Sequence, residues 1–156
     1  MIRAVAAVDD RLGVGTSSGI PWSVPADVEH FRTLTASTDV VMGYRTYEEY
    51  AEPMPGRTNF VATASHATLR EGFIAVDDVD HLIDGRHGED LWVIGGAGLF
   101  ASTLARTEEI HLTRISGDFG CSVFFPDFEA EFTLVGDESH PAAGAVPAFR
   151  FQTWRR

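Results

Sequence analysis

Three observations predict an α/β fold built on a largely parallel sheet. Strand-like apolar runs alternate with short helical patterns through most of the chain, the order that a parallel sheet with covering helices produces. The last two strand-like runs have no helix between them and read as an antiparallel hairpin closing one sheet edge. The length, 156 residues, suits one domain over residues 1–156. A chain of that size buries roughly 70% of its unfolded surface around a single core.

Ile2–Val8 is the first strand; its apolar stretch is too short for a signal peptide and runs into Asp9 and Asp10. Asp9–Val24 is a long connection rich in Gly13, Gly15, Gly19, Ser17 and Ser18, and loops of that length are usually functional or disordered. Pro25 opens a helix to about Thr35, because proline suits a first turn where its missing N–H costs nothing. Asp39–Gly43 is a short strand, and Thr46-Tyr47-Glu48-Glu49 has capping-box spacing for the next helix. Thr58–Thr63 and Phe73–Val76 are strands, followed by a weak helix from Val79 to about Gly85. Leu91–Ile94 is an apolar strand that ends in Gly95-Gly96-Ala97-Gly98 and leads into a helix to about Arg106. Glu109–Ser116 is a strand, and Phe132–Val135 and Ala148–Trp154 form the terminal hairpin.

Hydrophobic residues make up 44% of the chain and charged residues 22%, ordinary for a globular protein, and no apolar run reaches membrane-spanning length. A net charge of −11 argues against a nucleic-acid partner, since phosphate binding needs a basic face. An anionic ligand would need local cations set against that field. All 12 cationic residues are Arg, whose planar forks suit carboxylate and phosphate, although a coding bias explains the same composition and a high-salt habitat would explain the acidity. Cys121 is alone and forms no internal disulfide, and the six His residues show no metal-ligand spacing. The expectation is a cytoplasmic monomer without a metal.

Four features could carry chemistry. In a helix from Pro25, Asp27 shares a face with Phe31 and Leu34, so burial would raise its pKa and suit it to proton transfer near neutral pH. The helix dipole favours Asp in any first turn, so position alone does not decide. In Trp92–Ala101 a buried strand passes through glycines into a helix, where free N–H groups can hold a pyrophosphate. Gly96-Ala97-Gly98-Leu99-Phe100-Ala101 even fits G-x-G-x-x-A, but too little chain follows Asp118 for a Rossmann fold. Val40-Val41-Met42-Gly43-Tyr44-Arg45-Thr46 repeats the strand–glycine–helix pattern with a cation at hand. Finally, Pro53-Met54-Pro55-Gly56 stiffens the chain before Arg57.

Taken together, Gly19-Ile20-Pro21-Trp22-Ser23-Val24-Pro25-Ala26-Asp27, Val40-Val41-Met42-Gly43, Pro53-Met54-Pro55-Gly56-Arg57, Val93-Ile94-Gly95-Gly96, Leu112-Thr113-Arg114-Ile115 and Phe125-Pro126 resemble dihydrofolate reductase over nearly the whole chain. The resemblance implies an eight-stranded, mostly parallel sheet flanked by about four helices, and NADPH-dependent reduction of dihydrofolate to tetrahydrofolate. By similarity, Asp27 would bond the pterin and promote protonation at N5, with Thr113 supporting it and Trp22 holding a water. Val5, Ala6 and Ile94 would face the ring, Val28, Phe31, Tyr50 and Met54 would line the walls, and Arg57 would clamp the α-carboxylate of the glutamate tail. NADPH would lie against Ala7, Gly43, Arg45, Thr46, Thr63, Ala64, Gly95, Gly96, Ala97, Gly98, Leu99 and Phe100. Gly13 to Ile20, including Val14 and Gly15, would be a mobile lid.

The chain departs from the family pattern at several of these places. Tyr44 and Ala64 stand where the family commonly has an arginine and a hydroxyl residue for the 2′-phosphate, so NADH remains open beside NADPH. Gly120-Cys121-Ser122 replaces Gly-Asp-Thr, Phe100 stands where a tyrosine sometimes occurs, and Glu52 adds a negative charge near the tail's path. Two competing readings share the fold: a reductase of riboflavin-synthesis type and a non-catalytic nucleotide-binding module. Asp27, Arg57 and Thr113 together speak against a pure cofactor binder, and Asp27 against the riboflavin type.

Overall fold

The computed structural model describes residues 1–64 and 67–156. Ile2–Val8 forms β1, with Ile2, Ala4, Val5 and Val8 buried, as expected of a parallel strand covered on both faces. The chain continues through β2 (Gly13–Gly15), α1 (Pro25–Thr35), β3 (Val40–Gly43), α2 (Tyr44–Glu48), β4 (Asn59–Ala62) and β5 (Phe73–Val76). It then forms α3 (Val79–Asp84), β6 (Leu91–Val93), α4 (Ala97–Thr103) with a 3-10 turn (Leu104–Arg106), and β7 (Glu109–Ile115). The last elements are β8 (Val123–Phe124), β9 (Thr133–His140) and β10 (Phe149–Arg155).

The main sheet has eight strands in the order β5-β4-β3-β6-β1-β7-β10-β9. It is parallel from β5 to β7 and antiparallel across β10 and β9, in agreement with the fold class expected from sequence. The central strands are sealed: Val8, Val40, Val41, Val61, Val93 and Ile110 are all 0% exposed. Burying one such side chain contributes about 1.5–3 kcal/mol. One core cluster joins β1, β6 and β7 to α4 and the Phe125–Phe132 segment, and a second joins Val5 to Met42, Trp92 and the apolar face of α1. Strand β6 is inserted between β3 and β1, so the strand order reverses there, and a crevice opens beyond the carboxyl ends of these strands.

Two sequence expectations need correction. The capping box at Thr46 does not form, because α2 already begins at Tyr44 with Gly43 as its N-cap. The Gly43 N–H donates to the Gly95 carbonyl at 2.7 Å, which ends β3 and turns the chain at that residue, leaving Thr46 inside the helix. The connection from Asp9 to Val24 also contains β2, which pairs antiparallel with β8 as Gly13↔Phe124 and Gly15↔Val123. Strands of three and two residues carry no readable alternation, and their pairing spans more than a hundred residues.

Candidate active site

A cleft of about 1000 Å³ lies at the carboxyl ends of β1, β3 and β6. Val5, Ala6 and Ala7 of β1 form its back, and Asp27, Val28 and Phe31 of α1 form one wall. Gly43, Tyr44, Arg45, Thr46 and Tyr50 form the opposite wall, and the floor runs from Ile94 to Phe100. Val14, Gly15 and the following residues to Ile20 cover the mouth, and Ile20 is 60% exposed there.

Asp27 is placed by α1, whose start needs no side-chain cap because Pro25 occupies the first turn. Phe31 and Leu34, on the same face, pack against the Val5 cluster and fix the rotation of the helix. The carboxylate therefore points at the sheet, where the buried Thr113 hydroxyl donates to Oδ1 at 2.6 Å. Thr113 sits in β7, paired to Ala7 on one side and Phe151 on the other, so its position is set by two ladders. Burial pushes the Asp27 carboxyl above its usual range, outweighing the opposing effects of the Thr113 hydroxyl and nearby His30. Among the described residues no arginine pairs with Asp27. His30, one turn further along α1, stacks on Phe151 with ring centroids 3.8 Å apart, and burial pushes its imidazole below the usual value while Asp27 opposes that shift. Burial also raises the Tyr50 phenol on the facing wall.

The other half of the cleft is made of backbone. Gly95 has φ +124, a conformation that a side chain would strain, and a Cβ on Gly43 would lie 3.5 Å from the Gly96 nitrogen. The N-caps of α2 and α4 are Gly43 and Gly96, and neither helix start is capped by a side chain. Around Gly98 nothing lies within 4 Å of a built Cβ, so this turn is open toward the cleft. Arg45 is the cation of the lining, beside Glu48 of the same helix and Glu49 at its C-cap.

Most of the residues singled out in the sequence converge here, but six do not line the main cleft. Trp22 lies in an adjoining smaller pocket with Ala7, Ile20, Asp27 and Val28, and its ring meets Phe119 edge-on at 5.3 Å. Thr113 stands behind Asp27, and Met54 packs with Phe31 and Tyr50 against the Val5 cluster. Arg57 reaches back to α1: Nη1 donates to the Thr35 carbonyl at 2.8 Å and hydroxyl at 2.9 Å, and Nε donates to the Pro55 carbonyl at 3.0 Å. Thr63 continues the β4–β5 pairing through its N–H to the Val76 carbonyl, and exposed Ala64 follows it. Sequence reasoning missed Glu48, Glu49, Ser122 and Val123 in the lining. Glu48 and Glu49 lie three and four residues beyond Arg45, so a helical face centred on Arg45 would have found them. Ser122 precedes β8 and Val123 begins it; the sequence marked their run only as a departure from the family pattern, and no local signal placed them in the cleft.

Comparisons with known proteins agree on one family. The family model for dihydrofolate reductase matches residues 1–156. Dihydrofolate reductase of Bacillus subtilis (strain 168) is 30% identical over 140 residues, covering 88% of this chain and 83% of that one. Dihydrofolate reductase type 3 of Salmonella typhimurium is 33% identical over 129 residues, covering 82% and 80%. Dihydrofolate reductase type A13 of Escherichia coli is 32% identical over 141 residues, covering 88% and 86%. A solved dihydrofolate reductase from Enterococcus faecalis, complexed with NADP(H) and RAB-propyl, has the same fold, with a TM-score of 0.90 at 23% identity over 100% of this chain and 96% of that one.

Proposed function

The chain belongs to the dihydrofolate reductase family, and from that premise we propose that it reduces dihydrofolate to tetrahydrofolate with NADPH, Asp27 promoting protonation of the pterin. The observation that carries this reading is the raised Asp27 carboxyl, held by one neutral hydroxyl at 2.6 Å and facing the same cleft as the open glycine turn. A carboxyl shifted up by burial titrates nearer neutral pH, where a proton relay is most effective.

The residues present fit a dinucleotide. Gly43, Gly95, Gly96 and Gly98 present bare backbone to the cleft, and the uncapped starts of α2 and α4 face it with Thr46 between them. Arg45 would meet a phosphate, and Ala7 with Ile20 would bracket the nicotinamide end. When bound, NADPH supplies the hydride. The protein's own part is to hold the pterin edge at Asp27, to keep water from the reacting face with Ile20 and Phe31, and to hold the proton on the Asp27 carboxyl. Thr113 orients that carboxyl. Arg57 would take the substrate's α-carboxylate through its remaining Nη2 edge, since Nε and Nη1 are committed to Pro55 and Thr35.

The test is purified protein with dihydrofolate and either NADPH or NADH, followed by loss of the reduced cofactor's absorbance. Turnover with NADPH exceeding turnover with NADH is expected, with Arg45 as the phosphate's cation. Absence of turnover with either cofactor would overturn the reading.

A further inference from the structure

Thr113 marks the face of the sheet that α1 covers, and the pleat puts a row of titratable groups on that same face. Glu109 and His111 precede Thr113 in β7 at two-residue steps, and Phe149 and Phe151 of β10 pair with Ile115 and Thr113. Beyond them in β9, Glu138 pairs with Phe151 and His140 with Phe149. Helix α1 adds His30, one turn after Asp27 and so beside it on the helix surface. Stacking fixes the His30 ring, which lies on Phe151 with centroids 3.8 Å and planes 16° apart. His140 meets the same Phe151 at 5.0 Å, lies flat on Phe149 at 4.7 Å, and has Nε2 2.8 Å from Glu138 Oε1. His111 has Nε2 2.5 Å from Glu109 Oε1 and meets Trp92 edge-on at 5.1 Å.

The carboxylates around α1 and the lid differ in what they are committed to. Glu109 faces His111 and Arg155, and Glu138 faces His140. Asp9, 0% exposed, accepts from the Gly13 amide at 2.8 Å and the Phe119 amide at 3.1 Å. Cys121 is seated against it, so close that a Cβ on Gly13 would lie 2.3 Å from Cys121 Cβ. Asp27 has the Thr113 hydroxyl alone, which leaves its charge open to a neighbouring imidazole. The groups facing His30 are Asp27 on its own helix, His111 on β7, and Glu138 and His140 on β9. Burial pushes the His30 imidazole down, Asp27 and Glu138 pull it up, and His111 and His140 push it down again. We propose that His30 is a positioning residue for the Asp27 proton: as an imidazolium one turn away it holds Asp27 as the carboxylate, and as a neutral ring it lets the proton on. The pH range over which Asp27 works is then set by His30 as well as by burial. The part of this inference that concerns turnover rests on the reading of the cleft as a dihydrofolate reductase site.

His30→Phe removes the titratable ring and keeps the stack on Phe151, while His30→Arg makes the charge permanent on a side chain that also stacks on aromatic rings. In ligand-free protein, the Asp27 carboxyl carbon, followed by NMR, should titrate about one pH unit higher in His30→Phe than in the parent. In His30→Arg it should titrate no higher than in the parent. Coupling between two sites is reciprocal, so Asp27→Asn should lower the midpoint of the His30 ring protons by a similar amount. With dihydrofolate and NADPH, the alkaline limb of kcat/KM should move up by the same unit in His30→Phe, about a tenfold gain along that limb. Asp27 midpoints that are equal in parent and His30→Phe, or a His30 midpoint indifferent to Asp27→Asn, would overturn the proposal. A fall in kcat/KM at every pH with the limb unmoved would also overturn it, leaving His30 to packing alone. Failure of the parent to turn dihydrofolate over would count against the functional reading, and the ligand-free titrations would still decide whether His30 governs Asp27.

Discussion

Strand β7 meets a carboxylate at each end, and the two surroundings are opposite in kind. At its amino end Glu109, 5% exposed, is held by two arginines, Arg155 Nε at 2.7 Å and Arg3 Nε at 3.3 Å, with the His111 ring nitrogen Nε2 at 2.5 Å. Four residues later, Thr113 gives Asp27 a single hydroxyl. Burial pushes Glu109 upward too, but Arg155 and His111 pull it below its usual range, whereas at Asp27 burial prevails. The difference teaches how to separate a structural carboxylate from a chemical one. Glu109 is surrounded by groups that favour its charge at any working pH, and Asp27 by groups that leave its proton negotiable.

The sharpest way to break this comparison is Asp27→Asn. Turnover should fall about 10²–10⁴-fold, the usual contribution of a general acid or base. Stability at neutral pH should stay level or rise, because a folded-state pKa above the unfolded one subtracts stability as pH climbs between the two. Near-parental turnover with dihydrofolate and NADPH would erase the distinction between the two carboxylates.

Arg57 spends Nη1 and Nε on Thr35 and Pro55, and the proposed function assigns its Nη2 to the substrate. Arg57→Leu should weaken dihydrofolate roughly ten- to a hundredfold, since a charge-assisted hydrogen bond contributes about 1.5–3 kcal/mol. A pterin lacking the glutamate tail should bind parent and variant alike. Equal weakening of both ligands, measured by titration, would assign the whole guanidinium to holding the end of α1.

Glu109→Gln probes the other member of the pair. Removing a buried ion-pair partner should cost about 2 kcal/mol, less than a fully buried pair because the Arg155 side chain is 62% exposed, and kcat should not change. The stabilisation from a depressed carboxyl exists above the unfolded pKa and is lost as pH falls through the folded value. Melting temperatures of parent and variant should therefore converge in acid. Divergence there would mean that Glu109 is not held in its charged form.

The smallest effect is expected of Thr113→Val. The hydroxyl lowers the Asp27 pKa by bonding its charged form, so without it the titration moves to higher pH. A net hydrogen bond contributes about 1 kcal/mol, so kcat/KM near neutral pH should change severalfold rather than by orders of magnitude. The pH–rate profile is the measurement, and an unmoved limb would separate Thr113 from the proton.

Much of the fold was legible because its strands and helices announce themselves locally. The bounds of β1, α1 and β5 follow directly from apolar runs and from Pro25, and the terminal hairpin from two strand patterns with no helix between them. What was not legible depends on pairing at long range. The β2–β8 ribbon, the Phe119 amide bonded to Asp9 and the two arginines on Glu109 join residues that no local pattern connects. The site divides the same way. Asp27 on the apolar face of α1 was readable from spacing, while its contact with Thr113, 86 residues away, came only through family resemblance. The missed capping box shows the reverse case, a local motif overridden by one long-range bond from Gly43 to Gly95.

The tight seat of Cys121 against Gly13 and Asp9 has a practical consequence. It is the chain's one thiol, and burial with the Asp9 charge raises its pKa, so alkylating reagents should meet little thiolate in that seat. Any change that loosens this seat should free the thiolate from the Asp9 charge and speed the reaction. The pace at which an alkylating reagent adds its mass to the protein then reports how firmly Cys121 is seated, read by mass spectrometry on the native sequence without any introduced label.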